Sequence, residues 1–421
     1  MSQPDHQTND GAGAGSDAAR SAAAPSAAPA AAILGDPRLD QALARIAERA
    51  PEHDRDGSFP HEAFDALHAL GVTALRVPAA YGGGAADLPT LVRVLERVGA
   101  ADPSVGLVLV WQYVFHADLS LAGSRWPAAV RERVLRSAVE EGALINALRV
   151  EPQLGTPARG GLPDTVGREI GDGWELRGHK TYCTGIPALR WLLVWGRTDE
   201  EEPRVGQFLV ETPADGYRVE QTWDHIGLRA SRSDDVIFER VVLPASHAVD
   251  IRPPADWNEP AAVASRGRAA LFIAANYLGV ALAARDWLTR YLNERTPTNL
   301  GRPLATLPRF QEAVGEIETL LETARLLVRD AASSLESGGD ASRALLAKHV
   351  ATTNAIAAIE QGLKLTGNPG LTRRNPLERH HRDALTGRVH TPQSDTILTQ
   401  LGAAALRRAA ASAGGGAGSG R

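Results

Sequence analysis

The period of the hydrophobic pattern changes twice along this 421-residue chain, and that double change constrains the fold more than any single motif does. From Pro37 to about Glu141 apolar residues recur at helical spacing, as in Leu39, Leu43 and Ile46. Further helices are expected over 60–70, 87–99 and 126–141. From about 143 to 245 the spacing shortens to that of strands, over 174–177, 191–195, 207–211, 217–223 and 236–243, between Gly, Pro and Asp clusters. After Pro253 the helical period returns over 263–294, 307–335 and 341–365. A short helix, an irregular loop and a last helix over 392–410 follow, with Thr391 as its N-cap and Pro392 at its first position. The pattern predicts an α+β protein with a helical domain at 35–142, a barrel-like β domain at 143–250 and a four-helix bundle at 251–410.

Composition narrows the classes. Residues 1–34 and 411–421 are rich in Ala, Gly and Ser, bury too little to offset the entropy of ordering, and are expected to be disordered tails. Cys183 is the single cysteine, which excludes an intrachain disulfide and a thiolate cluster, and no metal site is expected. A net charge of −5 argues against a phosphate-tracking nucleic-acid binder, although Arg373, Arg374, Arg379 and Arg382 form a local basic patch. The chain shows neither an apolar run of spanning length nor a signal segment, so no membrane partner and a cytoplasmic location are expected.

The three-part order and a set of motifs resemble the acyl-CoA dehydrogenase superfamily over about residues 37–408. Gly71, Pro78, Tyr81, Gly82 and Gly83 match an N-terminal turn of that family, and their geometry suffices to explain them. Glu151-Pro152-Gln153-Leu154-Gly155-Thr156 resembles a loop that meets flavin and substrate, but departs from it at Pro157-Ala158-Arg159-Gly160-Gly161, where a standard CoA-thioester pocket would need small polar residues. Arg177 to Gly185 resembles the strand and turn that lie against the flavin. The resemblance implies that Tyr182 packs on the isoalloxazine and that Thr184 hydrogen-bonds near N5. Gly227 to Ser233 resembles a further segment of the family, and its Arg229 is a candidate for the substrate pocket with Thr391.

In the bundle, Glu294-Arg295-Thr296 with Gly301 and Gln311 resembles a segment whose arginine reaches the cofactor pyrophosphate of a neighbouring subunit. By the same resemblance Gln361, Gly367 and Gly370 share that contact, which implies a homo-oligomer, a dimer or a homotetramer. Guanidinium and backbone N–H groups suit a diphosphate. Here the segment reads Arg-Thr-Pro-Thr-Asn-Leu-Gly, an insertion that leaves FAD and FMN both open.

The family's Arg-Asp pair is matched by Arg382-Asp383, and the catalytic glutamate about nine residues on falls at Thr391. Its alternative location on the first bundle helix falls near Ala269 and Ala270. A dehydrogenase needs a carboxylate to take the α-proton; Asp383 and Asp395 are the nearby acids, the first in the structural pair and the second in a helix's first turn. The residue before Thr391 is His390, while His116 ends an apolar helical stretch, where a lone histidine is as readily a core residue as a catalyst. His380 and His381 read as solvated or structural.

His390, His116 and Thr184 together resemble a second branch of the fold, the reduced-flavin-dependent monooxygenases of desulfurisation and two-component hydroxylation. That resemblance implies reduced FMN or FAD delivered by a separate flavin reductase, a C4a-hydroperoxide steered by the two histidines, and a small-molecule substrate. The absence of a G-x-G-x-x-G fingerprint after a strand fits an external reductase. A true acyl-CoA dehydrogenase with an unrecognised base, and a non-catalytic binding scaffold, are the competing readings.

Overall fold

In the computed structural model, residues 30–155, 161–258 and 260–415 are described. Five helices come first: α1 (Pro37–Asp56), α2 (His61–Ala69), α3 (Leu88–Ala101), α4 (Pro103–Leu119) and α5 (Ala128–Glu140). Three of them start the same way, with an aspartate followed closely by proline. Asp36, Asp87 and Asp102 each accept a backbone N–H of the first turn, from Arg38, Thr90 and Ser104 at 2.8, 2.9 and 2.7 Å. The cap satisfies a donor that the helix cannot, and the proline gives up one that it does not need.

Eight strands follow: β1 (Leu144–Leu148), β2 (Val166–Ile170), β3 (Gly173–Lys180), β4 (Leu189–Thr198), β5 (Val205–Glu211), β6 (Tyr217–Glu220), β7 (Asp235–Pro244) and β8 (Ala248–Arg252). They form one sheet in the order β6-β7-β3-β2-β4-β5-β8. Strand β4 pairs in parallel with β1 over its first half and with β2 at Arg197 and Thr198. The five strands expected from alternation all lie within or on β3 to β7, with residues 221–223 falling beyond the end of β6. β1, β2 and β8 have only five residues each, too few for the alternation to register.

The C-terminal part holds α6 (Pro260–Glu294), α7 (Pro308–Glu336), α8 (Ser342–Thr366), α9 (Asn368–Leu371), α10 (Leu377–Leu385) and α11 (Ser394–Gly415). α6 is the hub, packed against α8, α3, α4 and α7. Its seam with α3 is possible because both sides present glycine: a Cβ on Gly279 would lie 2.2 Å from the Glu96 carbonyl, and one on Gly99 would lie 2.4 Å from that of Asn276. The bundle therefore takes α3 as a full partner, while α11 packs on α8. α6 is also long and apolar enough to cross a bilayer by length and composition, contrary to the expectation of no such run. Its most apolar 18-residue window is 94% buried among the other helices, so its apolar character serves the core.

Three boundaries differ from expectation. Ala30–Gly35 form a 3-10 turn instead of tail, because Ile33 is buried in the core and the Leu34 carbonyl accepts from Arg97 at 3.1 Å. At the other end α11 continues through 411–415. It starts at Ser394, not after Thr391, because the carbonyl of Pro392 is taken by the Lys348 ammonium at 3.0 Å and the helical bonds begin with Gln393 accepting from Ile397. The remaining tail residues, 1–29 and 416–421, and residues 157–160 of the loop departure lie outside the described residues.

Candidate active site

The turn after β3 is built on strained backbone. Tyr182 has φ +57°, and the facing segment begins and ends on left-handed residues, Leu228 at φ +50° and Arg232 at φ +42°. Such conformations in side-chain-bearing residues persist only where neighbours enforce them. Here Cys183 N–H donates to the Asp234 carbonyl at 3.1 Å and Gly185 N–H to that of Ser231 at 2.9 Å. Between the two segments three hydroxyls line up: Thr184 Oγ1 lies 2.9 Å from Ser233 Oγ, which lies 2.9 Å from Ser231 Oγ. Asn146 on β1 donates to the Thr184 carbonyl at 2.9 Å. Tyr182 stays exposed, its ring edge-on to Trp223 and His225, which stack on each other with centroids 3.7 Å apart.

The bundle side is built around His390. Its Nδ1 lies 2.7 Å from the hydroxyl of Tyr277 on α6, and that hydroxyl lies 2.8 Å from Thr386 Oγ1, which donates to the Asp383 carbonyl at 2.6 Å. A carbonyl can only accept, so the single proton of Thr386 is committed to it. Tyr277 must then donate to Thr386, and His390 must donate to Tyr277 from Nδ1. Only this direction satisfies all three contacts, and it leaves the lone pair on Nε2. The fully buried Lys348 of α8 donates to the carbonyls of Gly387, His390 and Pro392 at 3.2, 2.9 and 3.0 Å. Burial first, and the Lys348 charge second, push the imidazole of His390 down to about 4, so it is neutral at physiological pH.

The other predicted residues are spread out. His116 is fully buried on α4 with both ring nitrogens unpartnered, and burial pushes it down to about 3. Among the described residues no hydrogen bond or ring contact joins it to His390 or Thr184. Arg229 is spent on the Asp54 carbonyl at 2.7 Å, on Asp224 at 3.1 Å and on the His225 carbonyl at 3.2 Å, which ties the 228–232 segment to α1. Thr391 is exposed, and among the described residues no hydrogen bond joins it to Arg229. Arg295 is exposed just past the end of α6, and Gly367, at φ +60°, follows α8. Leu288 lies within 3.5 Å of where a Gly362 Cβ would sit, a few residues before both helices stop, so Arg295 and Gly367 share one end of the bundle. Gly370 is buried there, while Gln361 Nε2 donates to Glu316 at 2.9 Å. His380 is buried rather than solvated, and burial pushes it to about 3.

Ser231, Ser233, Asn146, Tyr277 and Lys348 were not legible as site residues in the sequence. One signal pointed to Lys348. Of 45 Lys and Arg residues only three are lysines, Lys180, Lys348 and Lys364, and the first two are fully buried. A chain that otherwise uses arginine retains lysine where a compact ammonium with three donors is needed. At the corner of the sheet, Lys180 donates to Glu151 at 2.5 Å, and Glu151 also accepts from Asp164 N–H at 2.7 Å and from Thr165 Oγ1 at 2.6 Å.

With that geometry in hand, comparison places the chain. It matches the models of the acyl-CoA dehydrogenase N-terminal domain over 40–140, middle domain over 149–241 and C-terminal domain over 271–395. The chain belongs to the acyl-CoA dehydrogenase family, and the class it falls in is that of flavin-dependent oxidoreductases. It is 31% identical to YdbM of Bacillus subtilis, a protein assigned to the acyl-CoA dehydrogenases, over 87% of this chain and 96% of that one. It is 29% identical to cyclohex-1-ene-1-carbonyl-CoA dehydrogenase of Geobacter metallireducens, over 87% and 95%. Among solved structures it superposes on KijD3 in complex with FMN and a dTDP-linked amino-keto sugar with a TM-score of 0.80, at 28% identity, over 90% of this chain and 94% of that one.

Proposed function

We propose that this protein is a two-component monooxygenase that accepts reduced flavin from a separate reductase and uses dioxygen to oxygenate a small molecule. The observation that carries the reading is the replacement of the family's base. Thr391 stands at the glutamate position, Ala269 and Ala270 at the alternative one, and the residue beside Thr391 is a neutral, hydrogen-bonded histidine. Neither nearby acid is free. Asp383 accepts Leu228 N–H at 2.8 Å, and Asp395 accepts Thr396 N–H at 2.8 Å.

The groups present suit a flavin. Thr184, held by Ser233, would present a hydroxyl to the N5 edge, and Tyr182 an exposed ring to the isoalloxazine. Arg295 with Gly367 and Gly370 would meet a phosphate, from this subunit or a neighbour in a dimer or homotetramer, and either FMN or FAD would serve. Bound reduced flavin supplies the two electrons that divide dioxygen between an oxygenated substrate and water. His390 would exchange a proton at Nε2, the nitrogen whose lone pair the Tyr277 bond leaves open. Thr391, exposed beside His390, would face the substrate, while the buried His116 and Arg229, bonded to Asp54, Asp224 and the His225 carbonyl, would shape the site without touching the reacting atoms. A cytoplasmic location and the domain limits at 142 and 250 complete the proposal.

The test is anaerobic stopped-flow mixing of the protein and reduced FMN, or reduced FAD, with oxygen. The wild type should show a transient flavin absorbance before oxidised flavin appears, and its lifetime should shorten by about tenfold or more in His390→Ala. The second reading, an acyl-CoA dehydrogenase with an atypical base, is favoured by the 31% identity to YdbM. In that case no transient forms, an acyl-CoA bleaches bound oxidised flavin, and the monooxygenase reading falls. Asp383, which burial pushes up to about 7, would be the first base to substitute.

A further inference from the structure

Lys348 is an anomaly in the bundle. Its side chain is fully removed from solvent, and among the described residues no carboxylate lies within ion-pair distance of it. A buried ammonium without a counter-ion is costly unless hydrogen bonds replace its hydration. Three do: its three N–H groups meet three carbonyls, all from the six-residue stretch 387–392 between α10 and α11. The lysine is matched donor for acceptor to one loop, and that loop carries His390.

We propose that Lys348 and Tyr277 are positioning residues for His390. Tyr277 fixes the ring proton on Nδ1, and Lys348 fixes the loop while its charge disfavours a second positive charge beside it. Three elements therefore converge on one imidazole. Tyr277 comes from α6, Lys348 from α8, and Asp383 from α10 acts through its carbonyl and Thr386. On the α11 side the nearest acid in sequence, Asp395, is exposed and occupied by Thr396 N–H. The consequence is a ring that is neutral, carries its lone pair on Nε2, and cannot rotate without breaking the Tyr277 bond. A proton delivered to Nε2 is then held weakly, next to the Lys348 charge, and is readily passed on.

This inference rests on His390 being the group that handles protons, but its test does not need flavin, oxygen or substrate. Full-length protein is labelled with ¹³C and ¹⁵N in histidine, and His390 is assigned by its disappearance in His390→Gln. In the wild type its nitrogen signals should report a proton on Nδ1 and none on Nε2, with no titration near the ordinary histidine value. Lys348→Met should raise the His390 pKa by about one unit, because part of the opposing field is lost. Lys348→Arg, which keeps the charge, should leave it low. Tyr277→Phe should shift population toward the Nε2–H tautomer. If Lys348→Met fails to fold, the wild type still decides. An Nε2–H tautomer, or titration near 6.5, overturns the proposal, as does a folded Lys348→Met with an unchanged His390 pKa. A monooxygenase failure in stopped flow with these signatures intact would instead condemn the functional reading alone.

Discussion

Lys180 in the sheet and Lys348 in the bundle are both fully buried, and burial pushes both ammonium groups down to about 8, yet they sit in opposite settings. Lys180 faces the carboxylate of Glu151, whose remaining acceptor capacity is filled by Asp164 and Thr165. Burial acts to raise the Glu151 carboxyl, but the Lys180 charge and these hydrogen bonds outweigh it and hold the group below its ordinary value. The pair closes on itself and fixes a corner between β3 and the start of the 151–165 connection. Lys348 has only carbonyls, so its charge is solvated but not cancelled, and the field reaches His390. Two lysines of equal burial thus differ in role: one is neutralised and structural, the other keeps its charge available to a neighbour.

The comparison can be broken most sharply at Lys180. Lys180→Met leaves the Glu151 carboxylate buried without its partner and should cost about 3–5 kcal/mol of unfolding free energy in urea. A loss no larger than that of an ordinary surface substitution would show that the pair is not what holds the corner. Acid should act on the same feature. Because the Glu151 carboxyl is held below its ordinary 4.5, its contribution is present above that value and is lost as pH falls through the lower folded value.

Lys348→Met should cost less, about 1–2 kcal/mol, since it abandons neutral carbonyls and also removes a desolvated charge. Its sign with pH is the same as that of the acid effect, in a higher window. Between the folded value of about 8 and the unfolded 10.5, the unfolded chain binds the extra proton. The Lys348 contribution therefore grows as pH rises through that window, and the gap between wild-type and Lys348→Met denaturation midpoints should widen there. A gap that stays constant would mean that folding does not lower the Lys348 pKa, so that burial costs the ammonium nothing.

The smallest effect is expected in the hydroxyl row. Ser233→Ala removes the partner of Thr184 Oγ1 and should cost about 1 kcal/mol in stability. Flavin affinity, read by fluorescence titration, should weaken by several-fold, because the Thr184 hydroxyl loses its orientation. Unchanged affinity would place the flavin contact elsewhere and leave the bundle side as the only organised half of the site.

Much of this architecture was readable from local pattern. The three-part order followed from periodicity, because a 3.6-residue stripe and a two-residue alternation are written directly into the chain. The turn at Thr184 is equally local. Thr391, Ala269 and Ala270, which the resemblance sets at the places of the family's carboxylate, are likewise read from local motifs.

What the sequence could not decide is which polar groups meet. Ser233 reaches Thr184 across 49 residues, Tyr277 reaches His390 across 113, and Lys348 reaches Pro392 across 44. No periodicity encodes such pairings, because each depends on the glycine-lined seams and helix ends that bring distant segments together. The role proposed for His390 likewise rests on burial and on the direction of a three-bond chain, both of which exist only in the folded molecule. Sequence determined the order of helical and strand segments and the residues that the resemblance sets at the base positions; tertiary structure alone decided that a histidine in that neighbourhood is neutral, oriented and tied to a buried lysine.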